Sequence, residues 1–381
     1  MLFRSCEKDK CVGCMACIDI CRKDAISIKD SVKTYNAVID VNKCISCGLC
    51  EKVCQNITPM SKQNPKSWYQ GWANNKQTRT NGASGGFAMA LAYKFIKDGG
   101  KVCSCTFSDG KFTFLIVDNE EDLLLFAGSK YIKSNSQGVY QKIKNELKLK
   151  NKILFIGLPC QVAGVKKYVG EQLLHNLTTI DLICHGTPSP KILNYFLSQY
   201  NESVADISNI SFRIKIDKEN DTGKVLSTKG CCDRYMSAFL STLSYTENCY
   251  QCSYATKDRV GDITLGDSWG SDLAGDEMKQ GISLALCQTD KGEKLLKEAD
   301  INLFDVDIEN AIANNHQLSH PSVAPKGRKK FFEGLQKGKN FNKLVKRALP
   351  KECIKQDLKA FLIKTKLLKA KGIAFQVELY K

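Results

Sequence analysis

The sequence has no uninterrupted apolar run of the ~18 residues or more that a membrane-spanning helix requires. Residues 1–10 lack the apolar segment of a secretory signal. Beyond one pair of cysteine runs there is no internal repeat, and no nucleic-acid-binding module is recognisable. Acidic residues are short of basic ones, 40 against 56, for a net charge of +16. The surplus is local. Residues 321–381 hold 17 Lys and Arg against 4 Asp and Glu, or +13, which leaves about +3 for the rest of the chain. These absences argue against a membrane-spanning helix and against a secreted protein. They leave a globular chain of 381 residues, long enough for two or three domains, with 43% apolar and 25% charged residues.

Cysteine is what the sequence has in excess, 19 in all. An odd total without a secretory segment does not suit a disulfide scaffold, and a reducing cytoplasm is the expected home. Cys11, Cys14, Cys17 and Cys21 follow a C-x2-C-x2-C-x3-C spacing, and Cys44, Cys47, Cys50 and Cys54 repeat it. Three thiolates on one tight loop reach three corners of a [4Fe–4S] cubane, and the fourth, on the helix that follows, reaches the other cluster. One cluster is therefore expected on Cys11, Cys14, Cys17 and Cys54, and a second on Cys44, Cys47, Cys50 and Cys21. A zinc site or a disulfide framework explains eight cysteines at this spacing far less well. The usual Pro after each fourth Cys is replaced by Arg22 and Gln55.

Strand-like pieces at residues 25–28 and 37–41 lie between the runs, and the ferredoxin-type module is expected over residues 1–57. Residues 58–81, polar and without periodicity over 61–81, read as a surface linker. A helix is predicted over 87–96 and strands over 102–107 and 112–117. Further helices are predicted over 137–148, 191–200 and near 292–299, and strands over 152–156, 179–184, 210–214, 262–265 and 282–287. Alternating strands and helices predict a mixed α/β core, divided at 82–148 and 149–320. Ligands gather at the carboxyl ends of strands in such sheets, where residues 157–161 and 184–188 fall. A basic helical tail is expected over 321–381, its apolar residues spaced at helical intervals.

Four further cysteines, Cys160, Cys184, Cys249 and Cys252, could close a third cluster. Cys160 and Cys184 also suit the role of small buried hydrophobes, and Cys231 and Cys232 are rival ligands. Ser84, Gly85 and Gly86 open a helix and could cradle a phosphate, although a Ser N-cap alone would explain the serine. Lys130 and Ser134 lie in a segment that could meet a pyrophosphate or be a solvated loop. His185 could tune a flavin or donate a proton, or could be structural.

Taken in order, the cysteine runs, Ser84-Gly85-Gly86-Phe87, Ser129-Lys130-Tyr131, Leu158-Pro159-Cys160-Gln161, Cys184-His185-Gly186, Cys249-x2-Cys252 and the segment Val260 to Asp267 resemble the beta subunit family of coenzyme F420 hydrogenase/dehydrogenase, with a ferredoxin domain fused at the front. The resemblance implies an FAD-binding α/β core and a third [4Fe–4S] cluster on Cys160, Cys184, Cys249 and Cys252. It also implies electron transfer with a deazaflavin or similar two-electron acceptor. Cofactor contacts are then expected at Ser84, Gly85, Gly86, Lys130, Ser134, Gln161, His185, Gly186 and Asp267. Leu158 stands where the family usually has Thr, and the basic tail lies outside the likeness. The expected function is an iron–sulfur flavoprotein oxidoreductase, partnered by a ferredoxin or a larger redox complex. The alternatives are a non-catalytic electron-transfer subunit and a cluster-containing nucleic-acid-binding protein, for which only the basic tail speaks.

Overall fold

The computed structural model describes residues 6–7, 9–215, 234–273, 275–365, 367 and 373–379. The rival ligands Cys231 and Cys232 lie outside them. Twelve strands are described: β1 (Ile26–Asp30), β2 (Tyr35–Ile39), β3 (Ser67–Ala73), β4 (Lys101–Ser108), β5 (Lys111–Val117), β6 (Ile153–Gly157), β7 (Leu177–Leu182), β8 (Ile207–Lys215), β9 (Ile263–Asp267), β10 (Ser283–Cys287), β11 (Ile301–Asp305) and β12 (Ile373–Leu379).

Eight of these form one mixed sheet in the order β11-β3-β10-β9-β7-β6-β4-β5. Its centre, β9-β7-β6-β4, is parallel, and antiparallel strands flank it on both sides. Burial on both faces explains why β6 and β10 read as near-continuous apolar runs. On one face the helices Phe87–Lys97 and Asp290–Glu298 bury Leu91, Phe95 and Leu296 against Leu154, Ile180 and Ile263. On the other, Val139–Lys148 and Pro159–Val169 bury Tyr140, Ile143 and Val162 against Phe155 and Cys103. The β1–β2 hairpin module adds Ala16, Ile26, Ala37, Ile39 and Val53 to that second cluster. The ferredoxin-type module is therefore docked on the helix layer through a shared core.

The expected linker over 61–81 is corrected by the structure. It contains β3, paired with both β10 and β11, and the helix Lys76–Asn81. Trp68, Tyr69 and Trp72 favour a half-buried strand, a compositional signal that outweighs the missing periodicity.

The tail, expected to be helical over 321–381, is corrected in part: it has two helical parts and a strand, β12, that pairs with β8. Helices Arg328–Gln336 and Phe341–Ala348 bury Phe331, Phe332, Phe341 and Val345 with Phe196, Phe212 and Tyr235, so they belong to the core. On the next helix, Pro350–Lys364, Ile354, Leu358 and Phe361 are 61%, 58% and 59% exposed. No helix among the described residues is long and apolar enough to cross a membrane.

Candidate metal centre

Cys11, Cys14, Cys17 and Cys54, the first expected ligand set, line one hollow of about 330 Å³, part of it open to solvent. Val12, Gly13 and Ala37 are part of its wall, and the Ala37 N–H donates to Cys11 Sγ at 3.4 Å. Such N–H donors stabilise thiolate sulfur and tune the potential of a bound cluster. Cys6, to which the spacing assigned no role, lines the same hollow. Its hydrogen bonds with Cys11 and Cys54 push its own thiol up; they draw Cys11 down to about 6 and Cys54 to about 7. Burial holds Cys14 up, at about 11.

The second set lies nearer the surface. Cys47 is exposed, Ile45 beside it is 62% exposed, and the Ser46 N–H donates to Cys44 Sγ at 3.5 Å.

The third set is assembled from three separate places. Cys160 is in the first turn of Pro159–Val169, just past β6, and Cys184 follows β7. Cys249 lies in the short 3-10 turn Glu247–Gln251, and Cys252 follows it directly. Cys160 feels the charge of Cys184 and Cys252, and Cys184 that of Cys249 and Cys252. Burial drives Cys160 well up, Cys184 up to about 12, and Cys252 up as well. Four clustered thiols fit a metal group, whose positive charge deprotonates coordinating thiols outright. The Thr187 N–H reaches Cys249 Sγ at 3.4 Å. The buried Tyr245 hydroxyl, beside Cys184 and Cys249, has no partner among the described residues and is a spare donor there. Among the described residues no three His, Cys, Asp or Glu side chains converge on a point for one metal ion. A cubane holds its thiolates at its corners, wider apart than the ~3.8 Å that ~2.3 Å bonds to a tetrahedral ion impose.

The first and third sets are neighbours. Gln55, directly after Cys54, donates its side-chain amide to the Cys160 carbonyl, and the Tyr254 hydroxyl donates to Gln55 Oε1. Cys160 feels the charge of Cys14, and a Cβ on Gly164, one turn along from Cys160, would lie 3.3 Å from Cys14 Sγ.

The expected cofactor contacts gather at one end of the sheet, the carboxyl end of its parallel strands. Ser283 pairs with both Asp267 and Gly71, so Ser84 and Gly85, bonded to Ile282 and Ser283, lie at the end where β9 terminates. Gly85 is required by packing: a Cβ there would stand 2.4 Å from the Gly71 carbonyl oxygen. Its N–H donates to Ser283 Oγ at 2.9 Å. Lys130 donates to the carbonyls of Phe126 and Ala127, at 3.0 and 2.8 Å, which leaves one of its three donors for an anion. Burial draws its ammonium down to about 8.

Gln161 works inside the chain. Its Oε1 accepts the Leu158 N–H at 2.9 Å and its Nε2 donates to Ser134 Oγ at 2.9 Å. Gln161 thus holds the helix start at the point where the family's usual Thr is missing. Gly186 has φ +140°, and a Cβ there would strike the Tyr245 ring at 2.3 Å.

His185 accepts from Gln317 Nε2 at 2.7 Å, and the same amide reaches His316 at 2.8 Å. Burial and the neighbouring His316 pull His185 down to about 4. Asp267 pairs with Arg213 at 2.7 Å, and the Arg213 guanidinium lies 5.5 Å from the Trp269 ring. Arg213 Nε and Gln317 Oε1 are buried with no partner among the described residues. Spare donors and acceptors at this end fit a polar, anionic cofactor. Arg213, Gln317 and His316 escaped the sequence reading, since each comes from an element remote from the motifs.

Residues 150–307 match the family model for the C terminus of the coenzyme F420 hydrogenase/dehydrogenase beta subunit, and residues 10–56 match that of the 4Fe-4S dicluster domain. No curated protein matches the chain. A chain of the F420-reducing [NiFe] hydrogenase complex from Methanosarcina barkeri, solved in a xenon-derivatised form, is 16% identical with a TM-score of 0.47; the alignment covers 82% of this chain and 97% of that one. The chain is thus an iron–sulfur protein of oxidoreductase type, in which residues 10–56 are similar to 4Fe–4S dicluster domains and residues 150–307 to the C terminus of the coenzyme F420 hydrogenase/dehydrogenase beta subunit.

Proposed function

We propose that this chain is an iron–sulfur flavoprotein that relays electrons inward. The path runs from an outer [4Fe–4S] site (Cys21, Cys44, Cys47, Cys50) through a nearer one (Cys11, Cys14, Cys17, Cys54) to a core cluster on Cys160, Cys184, Cys249 and Cys252. FAD then lies at the carboxyl end of the sheet. Clusters handle single electrons and a flavin pairs two of them into a hydride for a two-electron acceptor such as a deazaflavin. The observation that carries this reading is the contact of Gln55 with Cys160, which seats the first ligand set against the third.

The chain's own residues do the positioning. Gln55 and Tyr254 hold the two sets in register. Lys130 offers one donor to a phosphate, Arg213 and Gln317 offer polar atoms, and Gln161 with Ser134 fixes the loop between them. The exposed outer set is where a partner such as a ferredoxin or a larger redox complex would deliver electrons, in a reducing cytoplasm.

Anaerobic purification with iron and flavin assays tests the reading. Iron should reach about 12 atoms per chain, three clusters of four, and Cys160→Ala should lower it to about 8 while FAD still binds. A wild-type chain that stops at about 8 returns Cys160 and Cys184 to packing. A chain that binds no FAD when reconstituted with excess loses the hydride step and becomes a one-electron relay protein.

A further inference from the structure

The segment between Lys133 and Ser136 is stitched to both inner ligand sets. Lys133 Nζ donates to the Val12 carbonyl at 3.0 Å, inside the Cys11–Cys14 loop, and Ser136 Oγ donates to the Cys14 carbonyl at 2.8 Å. On the other side the Lys133 N–H donates to the Pro188 carbonyl at 3.0 Å, beyond Cys184, and Ser134 accepts from Gln161, next to Cys160. Lys133 is only 7% exposed. Its ammonium meets the Val12 carbonyl and the face of Tyr35, 6.0 Å from the ring centre, rather than a carboxylate. Leaving a buried cation without an opposite charge is costly. Lys133 stands between the first set, through the Val12 carbonyl, and the third, through Pro188 after Cys184 and the Ser134–Gln161 bond beside Cys160, where cluster-bound thiolates would supply that charge.

We infer that Lys133 is a buried charge shared by the two inner cluster sites, a positioning residue that raises both reduction potentials together and so keeps the inner relay level and downhill from the outer site. The inference rests on the core-cluster reading above. A cation favours the more negative, reduced state of whatever lies beside it. The contacts given for Lys133 reach the first and third sets, and none of them reaches the outer Cys44–Cys50 loop.

The test is an anaerobic redox titration of the full-length, reconstituted protein, followed by electron paramagnetic resonance, with iron per chain measured first. Lys133→Met should lower the midpoints of both inner clusters by at least a tenfold change in the reduced-to-oxidised ratio, 59 mV for one electron. The outer cluster should stay where it was, and Lys133→Arg should restore the inner two. Unchanged inner midpoints at wild-type iron content overturn the proposal, as does an equal shift of all three. If Lys133→Met fails to hold its iron, Lys133→Gln, whose amide can still donate to the Val12 carbonyl, is titrated instead. Collapse of that variant as well makes Lys133 a structural anchor and overturns the tuning role. A wild-type chain with about 8 iron atoms defeats the core-cluster reading by itself, and the charge effect is then decided on the Cys11 cluster.

Discussion

Asp181 in β7 and Arg259 form an ion pair at 2.7 Å in which the side chains are 0% and 1% exposed. Arg259 Nη1 also donates to the Tyr254 carbonyl, and Asp181 Oδ2 accepts the Gly261 N–H. The pair pins the strip that runs from Cys252 to β9 beneath the sheet. Arg259→Met leaves a buried carboxylate alone, which typically costs about 3–5 kcal/mol. A fall of that size in the urea unfolding free energy is expected, with loss of the core third of the iron. Unfolding at the wild-type urea concentration would show that the pair holds nothing in place.

Gly85 is the second point of rigidity. Gly71 and Ser283 backbone atoms stand 2.4 and 2.6 Å from where its Cβ would be. Gly85→Val therefore forces β3 and β10 apart, at about 1–3 kcal/mol for overpacking. It should also weaken FAD binding by tilting the start of Phe87–Lys97. Fluorescence quenching of added FAD and thermal melts measure the two effects separately.

Lys130 makes stability depend on pH. Its folded value is about 8, against about 10.4 for a free lysine. Between those values the unfolded chain holds a proton that the folded chain lacks, so stability should rise with pH across that window. Below about 8 both states carry the proton, and the burial penalty is present in full. Lys130→Met should flatten the rise in urea titrations taken from pH 7.5 to 10.5. Saturating FAD should move its lower edge upward, because a bound phosphate favours the charged lysine.

The exposed stripe Ile354, Leu358 and Phe361 lies among Lys351, Lys355 and Lys359 on one helix. Its charge suits an acidic redox partner, whose approach would be steered at low salt. Replacing the three lysines with Glu should slow reduction by an acidic ferredoxin at low ionic strength and leave the rate at high salt nearly unchanged. Iron and flavin content should not move. An unaltered rate at every salt concentration removes the docking role.

Some of this was legible in the residues alone. Eight candidate ligands were readable from spacing, because each run places three thiols on one loop and sends its fourth toward the other set. Most strands of the core were readable too, since burial on both faces demands apolar runs such as Ile153–Gly157. β3 was missed because an antiparallel flanking strand owes its place to pairing with β10 and β11, which sequence periodicity does not record.

Only the tertiary structure could decide the rest. Cys160, Cys184 and Cys249 come from elements far apart in the chain: the parallel register of β6 and β7 brings the first two to one end, and the Thr187 N–H just after Cys184 holds Cys249 beside them. The substitution of Gln55 for the usual Pro was visible from the start, yet its use was not. Proline has no side-chain donor, whereas Gln55 reaches the Cys160 carbonyl across the interface between the ferredoxin module and the core. The sequence by itself determined which thiols can hold clusters, because that chemistry is local. Which cysteine sets face each other, and that Lys133 lies between the first and the third, was decided by packing between distant segments.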